Sequence, residues 1–217
     1  MSVLDLTPDQ VLATTRAVRR RLDFSRPVER NLIEECLRLA QQAPSGGNRQ
    51  GWHFVVVTDA AKRRALGDLY RRSWNLYLDD PGYVGKLIFD DEERNAVQKR
   101  TATSAQYLAD HMYEAPVLVI PCIQQSRAGL SAANQSGLLG SVIQAAWSFC
   151  LAARVRGLGT CWTTLHLRYE EEAAAILGIP FRDIVQVAMI PLAYTQGTEF
   201  SPAPRDPLES IVHWNAW

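Results

Sequence analysis

Hydrophobic and polar residues alternate with a helical period in the first part of the chain. Thr7 followed by Pro8 is typical of a helix start, and apolar positions at helical spacing extend this predicted helix to Val18. A second amphipathic helix is predicted over residues 27–42, where apolar side chains recur on one face. The aromatic and β-branched run at 52–58 instead predicts a central strand.

The pattern beyond residue 60 continues to mix helices and strands. Helices are predicted over 60–78, 96–113, 138–156 and 169–177, and strands over 117–123, 160–164 and 185–192. Pro121 indicates a sheet edge or a bulge, because proline cannot donate to a strand ladder. Since strands and helices do not alternate strictly, the order favours an α+β fold over a doubly wound parallel sheet. No repeat or linker interrupts the chain, so residues 1–217 are predicted to form a single domain.

Residues 128–153 carry no charged side chain. The stretch contains several serine, asparagine, glutamine and glycine residues, which makes it a poor membrane span. We therefore predict a buried helix, inside the protein or between two subunits, and no membrane association. The tail at 202–217 is predicted to be extended, and it is long enough to reach across a neighbouring subunit.

The composition is that of an ordinary globular protein. Of 217 residues, 47% are hydrophobic and 21% are charged, which excludes disordered and fibrous classes. The 23 basic side chains balance 23 acidic ones, so no overall field favours a nucleic-acid partner. The acidic N-terminal segment is unlike a secretory signal. The four cysteines lack Cys-x-x-Cys spacing, which indicates buried, reduced thiols in a cytoplasmic protein.

Several common catalytic motifs are absent from the sequence. There is no Gly-x-Ser-x-Gly pentapeptide of a nucleophile elbow, and Gly85-Lys86 lacks the upstream glycine of a P-loop. The Gly-Leu-Gly turn at 157–159 precedes a predicted strand rather than a helix, which disfavours a Rossmann site. The four histidines are far apart, so we interpret each as structural and predict no metal site.

Three separate segments have residues suited to binding an anion or a flat ring. Arg16, Arg19 and Arg20 fall at i, i+3 and i+4, so a helix would bring their guanidinium groups together to grip a phosphate. A solvated basic face is the alternative. The loop at 43–52 offers glycines for close backbone approach and uncharged donors and acceptors, or is a plain helix-to-strand connection. The third segment, 157–165, has backbone groups that could face a heteroaromatic ring.

Taken together, these segments resemble the FMN-dependent nitroreductase family. The matching motifs are Arg-Ala-Val-Arg at 16–19 with Phe-Ser-Arg-Pro-Val at 24–28, Ala-Pro-Ser-Gly-Gly-Asn-Arg-Gln-Gly-Trp-His-Phe at 43–54, Gly-Leu-Gly-Thr-Cys-Trp at 157–162 and Arg-Asp-Pro-Leu-Glu at 205–209. The resemblance covers nearly the whole chain. It implies an obligate homodimer with a central, mainly antiparallel sheet flanked by helices, a domain-swapped C-terminal extension and two FMN molecules bound across the interface.

The resemblance also assigns positions that bind FMN. It implies that the arginine segment holds the phosphate and ribityl chain, that the glycine-containing loop covers the flavin of the second subunit, and that the strand after the Gly-Leu-Gly turn contacts the N5 and O4 region. A basic residue near the C-terminus completes the phosphate site. The implied cofactor-binding residues are Arg16, Ala17, Val18, Arg19 and Arg20; Pro44, Ser45, Gly46, Asn48 and Gln50; Thr163, Thr164 and Leu165; and Arg205.

The chain departs from the family pattern at several of these positions. Thr15 replaces the usual first arginine and Ala17 replaces a serine, so phosphate binding is expected to rest on the remaining arginines of the segment and on Arg205. Two threonines, Thr163 and Thr164, stand where glycine or an acidic residue is frequent. The backbone amide that faces flavin N5 is therefore left open.

The function implied by the resemblance is an NAD(P)H-dependent flavin oxidoreductase. Hydride would pass through FMN N5 to a nitroaromatic, quinone or enone in a ping-pong cycle. Two alternatives stay open: another flavin enzyme of the superfamily that acts on flavin, a halogenated tyrosine or an aldehyde, and a non-catalytic FMN-binding protein. The interrupted segment 79–93, with Tyr83 and Phe89, is predicted to be mobile and is the candidate substrate lid; an ordinary surface excursion is its alternative.

Overall fold

A computed structural model describes residues 3–126 and 132–217, with side chains from residue 134 onward in the second range. Its centre is a six-stranded sheet in which the strands pair antiparallel. The strands are β1 (Leu22–Asp23), β2 (Trp52–Val57), β3 (Val117–Gln124), β4 (Leu158–Thr160), β5 (Ile184–Gln186) and β6 (Ile190–Thr195). The helices are α1 (Pro8–Thr14), α2 (Arg30–Ala40), α3 (Ala60–Asp79), α4 (Glu92–His111), α5 (Ala132–Arg154) and α6 (Glu170–Leu177). The predicted α+β fold with a mainly antiparallel sheet is confirmed.

Strand β3 lies at the centre of the sheet. One side pairs with β2 along its whole length, and the other side pairs first with β6 and then with β5. Pro121 is therefore not at a sheet edge. The other predicted setting, a bulge, fits the register, because the three steps from Val119 to Cys122 oppose four steps from Ile190 to Gln186. Pro121 lies between Val119, which pairs with β6, and Cys122, which pairs with β5, so its missing N–H falls at the junction of two neighbours.

The predicted strand boundaries needed two corrections. The run at 160–164 continues as a strand only to Thr160, after which Thr163 makes a single bridge to Met189. The run at 185–192 belongs to two strands, since β5 ends at Gln186, β6 begins at Ile190 and residues 187–189 lie in neither. Apolar runs predict burial more reliably than they predict where a strand changes its partner.

Local capping explains where the helices begin. The Thr7 hydroxyl accepts a hydrogen bond from the Gln10 backbone N–H, the Thr7 backbone N–H donates to Oε1 of Gln10, and Pro8 occupies the first helical turn. Asp91 caps α4 at the Arg94 N–H, 2.8 Å away, so this helix begins earlier than the predicted residue 96. Helix α2 is shorter than the predicted 27–42 by a few residues at each end.

Two apolar layers cover the faces of the sheet. Along β3, Val117 and Val119 pack with α2 and α5, while Leu118 and Ile120 pack with α3 and α4. A strand that is buried on both faces explains the unbroken apolar run in the sequence. All four cysteine thiols are free and buried, as predicted. Burial raises the pKa of Cys36, Cys122 and Cys150 to about 11, 12 and 11, respectively.

Helix α5 has one buried and one exposed face. Residues 134–154 are long and apolar enough to span a membrane by length and composition alone. The inner face packs on α2 and on the sheet through side chains that include Val142, Ala146 and Phe149. The outer face exposes Leu139, Ile143 and Trp147 at a spacing of four residues. The predicted burial holds for the inner face only, and residues 128–131 of the uncharged stretch lie outside the described residues.

His166 is completely buried, and neither ring nitrogen has a hydrogen-bond partner. It lies in the short 3₁₀ turn Leu165–Tyr169, which packs on α3. Burial lowers the pKa of His166 to about 4, because the apolar surroundings disfavour the imidazolium. This agrees with the prediction of a structural rather than a metal-binding histidine.

Replacing His166 with leucine should reduce the sensitivity of the fold to acid. The histidine pKa rises from about 4 in the folded state to about 6.5 on unfolding, so the unfolded chain binds more protons between these values. Its contribution to stability is complete above pH 6.5 and falls by about 3 kcal/mol as the pH approaches 4. Urea unfolding at several pH values checks this. A control variant, His53→Gln at an exposed site, should keep the wild-type pH dependence; an equal dependence in His166→Leu would contradict the assignment.

Candidate functional site

The arginine segment, residues 15–21, is extended rather than helical. Helix α1 ends at Thr14, and Thr15 already has extended dihedral angles, with φ −71° and ψ 124°. The backbone then runs beside β4, where Ala17 bridges Thr160 and the Val18 N–H donates to the Thr160 carbonyl at 2.8 Å. The prediction that a helix aligns Arg16, Arg19 and Arg20 is therefore wrong. The structure instead brings the arginine segment against the end of the Gly-Leu-Gly turn.

Gly159 allows this close approach. A Cβ atom at this position would lie 2.8 Å from Thr195, 2.9 Å from Leu22 and 3.0 Å from Val18. These distances are shorter than carbon–carbon contacts in proteins, so only glycine lets the arginine segment and β1 pack against β4. The glycine that the sequence motif singled out thus has a packing role in the candidate site.

Substituting Gly159 with alanine should destabilise the protein by about 1–3 kcal/mol, because an added methyl overpacks a site closed on several sides. The displaced arginine segment should also bind its ligand less tightly. Thermal and urea unfolding measure the first effect. Gly51→Ala is the matched control, since its Cβ would meet Ile123 at an ordinary 3.6 Å. A Gly159→Ala protein as stable as the wild type would contradict the close-packing argument.

The arginine segment lines an open pocket of about 240 Å³. Its lining residues are Arg16, Ala17, Val18, Arg19, Arg20 and Arg21 together with Ser104 of α4 and Phe200. Of these described lining residues, none is acidic. Four arginine residues and no acidic residue in this lining favour binding of an anion. Ser104 and Phe200 carried no signal in the sequence, because they come from distant parts of the chain.

The predicted phosphate-binding arginines point in different directions. Arg16 donates from Nη1 to the Ser201 carbonyl at 2.9 Å and is otherwise exposed. Arg19 is half-buried and donates to the Ser104 hydroxyl at 3.3 Å. Its positive charge opposes the rise that burial causes in the pKa of Cys161 and of Tyr70 in the core. The guanidinium of Arg20 lies 5.7 Å from the centre of the Tyr107 ring. Arg16 and Arg20 are thus the more accessible of the three.

Arg205 lies in the exposed tail and is not among the residues that line this pocket. It follows Ser201 by four residues, which limits their Cα separation to about 14 Å. The next residue, Asp206, forms an ion pair with Arg94 at the start of α4, with a distance of 2.9 Å between Nη1 and Oδ1. Nη1 of Arg205 donates to the adjacent Pro204 carbonyl at 2.9 Å. Ser201 thus contacts the arginine segment and Asp206 contacts α4, and Arg205 lies in the chain between these two residues.

The predicted flavin-contacting residues 163–165 differ in their environment. Thr163 is buried, its hydroxyl donates to the Met189 carbonyl, and its own carbonyl accepts the Met189 N–H at 2.8 Å. Thr164 is exposed, and Leu165 is half-buried at the start of the 3₁₀ turn. Thr163 therefore has a structural role, and Thr164 and Leu165 are the more accessible positions.

The loop at 44–50 contains three left-handed residues. Gly47, Asn48 and Gln50 have φ values of 60°, 51° and 50°. The Ser45 hydroxyl accepts the Gln50 N–H at 3.1 Å, and the Gln50 side chain donates to the Asn48 side chain at 3.1 Å. Positive φ at two non-glycine residues is uncommon and often marks a binding loop.

This loop does not join the arginine pocket within one chain. The Gly46 N–H donates to the Ser141 hydroxyl of α5 at 3.1 Å, so the loop is held on the helix with the exposed apolar face. None of the predicted loop residues, which are Pro44, Ser45, Gly46, Asn48 and Gln50, lines the arginine pocket. The structure of one chain thus brings together two of the three predicted segments.

The candidate lid is tied down by several hydrogen bonds. Tyr83 packs edge-on against Trp74 and Tyr77, so it faces the core. The Asn95 side chain bonds both the N–H and the carbonyl of Phe89, at 2.8 and 2.7 Å. The segment is therefore a hydrogen-bonded turn between α3 and α4, and its mobility and lid role stay predictions. The apolar side chains that it exposes are Leu87 and Ile88.

No group of three or more potential metal ligands occurs within residues 3–126 and 134–217. The arrangement therefore consists of an anion-binding pocket, the close approach of the arginine segment to β4 at Gly159, called the Gly159 crossing below, and an exposed turn at Thr164. These are binding features rather than a nucleophile or an acid–base pair.

The fold and the acid-free arginine pocket together define an α+β protein with nitroreductase-like architecture. A model of the nitroreductase family matches residues 12–194. The chain belongs to the nitroreductase family.

Individual relatives are distant. An NADH dehydrogenase of Thermus thermophilus is 29% identical over 210 residues, which is 92% of this chain and 91% of the relative. The 5,6-dimethylbenzimidazole synthase of Rhodospirillum rubrum is 28% identical over 64% of this chain, and the match spans only 61% of the synthase. Among solved structures, a variant of the FMN- and NADPH-dependent nitroreductase NfnB from Sphigopyxis sp. strain HMH superposes with a TM-score of 0.71 at 21% identity, covering 98% of this chain and all of NfnB.

Proposed function

We propose that the protein is an FMN-dependent oxidoreductase that takes hydride from NAD(P)H and delivers it to an electron-poor acceptor such as a nitroaromatic, a quinone or an enone. The observation that carries this proposal is the acid-free arginine pocket beside the Gly159 crossing, at the positions of the family's phosphate-binding motif. Family membership and the FMN- and NADPH-dependent activity of NfnB support it.

The residues of the pocket fit the FMN phosphate. A phosphate dianion needs several charge-assisted donors. Arg16 and Arg20 line the pocket and are exposed, and Arg205, exposed in the tail four residues after Ser201, would join them. Arg19 is held by Ser104 and contributes its charge from a half-buried position. Backbone at Ala17 and Val18 borders the same pocket and would line the ribityl chain.

FMN, when bound, supplies the redox chemistry by accepting a hydride at N5 and returning it to the oxidant. The chain's part is to bind and orient. Backbone groups of the exposed Thr164 and the half-buried Leu165 would orient the polar edge of the ring. The loop at 44–50 of a second subunit would cover the ring and exclude water, with Asn48 and Gln50 as uncharged hydrogen-bonding groups. This division of labour explains why the sequence has no acid–base motif.

We propose a homodimer, because the candidate site is incomplete in one chain. The loop at 44–50 is held on α5, next to a helix face that exposes Leu139, Ile143 and Trp147. A two-fold contact between α5 helices would bury this apolar stripe and carry each loop toward the partner's arginine pocket. A buried pair of faces also explains the uncharged sequence of the helix.

We further propose that the C-terminal tail is exchanged between subunits. The large apolar side chains that the tail exposes include Leu208, Ile211, Trp214 and Trp217. Strand β2 is a free sheet edge, and two adjoining pockets of about 390 Å³ each run between it and α2 and share Leu37. The tail of a second copy would fill this groove and cover the edge strand.

Two smaller proposals concern substrate access and location. We propose that the turn at 80–91 borders the substrate, with Tyr83 and Phe89 as the anchored residues of the lid and the exposed Ile88 near its tip. The small-molecule oxidant would meet this apolar tip before it reaches the flavin. Four buried, reduced thiols favour a cytoplasmic location.

A second candidate function is a reaction on the flavin itself. The similarity to 5,6-dimethylbenzimidazole synthase favours it, although that match spans less than two thirds of the synthase. Product analysis separates the two functions, because only the second consumes FMN and forms 5,6-dimethylbenzimidazole.

Steady-state oxidation of NADH and NADPH, with a quinone and with a nitroaromatic as acceptor, tests the proposed function. We expect acceptor-dependent nucleotide oxidation and, without oxygen or acceptor, bleaching of the bound flavin by at least one nucleotide. A flavin that neither nucleotide bleaches would contradict the hydride cycle and favour a non-catalytic FMN-binding protein.

A further inference from the structure

We propose that Arg21 is a positioning residue for the phosphate-binding groups. In this inference, which rests on the proposed function, Arg21 clamps residues 196–201 against the arginine segment. The clamp would hold two groups in place: the Arg16 guanidinium, which bonds to Ser201, and the start of the tail, from which Arg205 projects. Family resemblance did not single out Arg21, and the contacts of its side chain carry the inference.

The Arg21 side chain is joined to the 196–201 segment at several points. Nε donates to the Gln196 carbonyl at 2.9 Å, and Nη1 donates to the Glu199 carbonyl at 2.8 Å. The Arg21 carbonyl in turn accepts the Gln196 N–H at 2.8 Å. The guanidinium carbon lies 4.1 Å from the centre of the Phe200 ring. One planar side chain thus fixes the start, the middle and the end of a short turn.

The turn is shaped to receive this side chain. Gly197 has φ +75°, and a Cβ atom there would lie 3.0 Å from Nη2 of Arg21. Glycine is therefore required both by the dihedral angle and by the space that the guanidinium fills. Phe200 also contacts Arg154, whose guanidinium carbon lies 5.0 Å from the ring centre and which is buried and bonded to Thr14.

The contacts of Arg21 distinguish it from the phosphate-binding arginines. Its Nε and Nη1 each donate to a backbone carbonyl and its guanidinium lies over the Phe200 ring, so the side chain is anchored to residues 196–201. Arg16, in contrast, donates to the Ser201 carbonyl at the end of the clamped turn. Movement of the turn would therefore displace both Arg16 and the segment that leads to Arg205, without removing either charge.

Equilibrium titration of the full-length apoprotein with FMN and with riboflavin tests the inference. Riboflavin has the same ring without the phosphate, so only FMN reports on the phosphate-binding groups. For Arg21→Ala we expect an affinity for FMN lowered about tenfold, equivalent to about 1.4 kcal/mol, and an unchanged affinity for riboflavin. Arg21→Lys should resemble Arg21→Ala, because one ammonium cannot reproduce the planar fork that reaches both carbonyls.

Gly197→Ala provides a second variant that disturbs the clamp without changing any charge, and it should shift the FMN affinity in the same direction. Amide hydrogen exchange at 196–201 should become faster in all three variants. Wild-type FMN affinity in Arg21→Lys, or equal losses for FMN and riboflavin, would overturn the positioning role. A wild-type protein that binds neither flavin would overturn the proposed function itself, which is a different result from either.

Discussion

Replacing both Arg16 and Arg205 with alanine is expected to abolish FMN binding at micromolar concentrations. Each of these exposed guanidinium groups would donate charge-assisted hydrogen bonds to the phosphate, and each such bond contributes about 1.5–3 kcal/mol. Loss of both lowers the affinity by about 10²–10⁴-fold. The affinity for riboflavin should change little, since riboflavin has no phosphate. Flavin fluorescence during titration of the apoprotein measures both constants.

The matched control for this pair is Arg38→Ala with Arg182→Ala. It removes the same net charge from two exposed positions outside the pocket, so any general electrostatic effect is retained in the comparison. The control protein should bind FMN like the wild type. Full retention of FMN by the Arg16 and Arg205 double variant would refute the assignment of those side chains to the phosphate.

A glutamate at Ile143 is expected to convert the proposed dimer into monomers. Ile143 lies in the middle of the exposed apolar stripe of α5, between Leu139 and Trp147. Burying an unpaired carboxylate at a two-fold contact costs several kcal/mol for each copy, so the dimer dissociation constant should rise by at least about 10³-fold. Light scattering coupled to size exclusion measures the change in mass.

FMN affinity should fall together with dimerisation in this variant, because the loop at 44–50 would no longer reach a partner's pocket. Leu76→Glu is the control, since Leu76 is an exposed leucine on α3, away from the α5 stripe. It should remain dimeric and bind FMN. A dimer of wild-type stability in Ile143→Glu would exclude the α5 face as the subunit contact.

Hydrophobic periodicity predicted the helices that pack on the sheet by one face and the strands that are buried on both faces. Helix α3 and strands β2 and β3 have nearly the predicted bounds, because their apolar residues are buried in the two layers that cover the sheet. The position of β3 at the sheet centre was not predictable from Pro121, since a junction between two partner strands tolerates proline as well as an edge does. Pairing partners depend on contacts across the sheet, which the local pattern does not contain.

The sequence predicted those parts of the site that consist of consecutive residues. The resemblance identified the arginine segment and the Gly-Leu-Gly turn, and the structure brings these together at Gly159. The spacing of the arginines suggested a helix, but Thr15 ends α1 and leaves them extended. Ser104 and Phe200 complete the pocket from segments far away in the chain, so their roles follow only from the tertiary structure.

Titration of the deflavinated full-length protein with FMN tests most directly whether the arginine segment and the Gly159 crossing form a phosphate-dependent flavin site. We expect saturable binding of one FMN per chain, a yellow protein with a perturbed visible spectrum, and much weaker binding of riboflavin. A protein that stays colourless in excess FMN, or that binds riboflavin as tightly as FMN, would contradict this account.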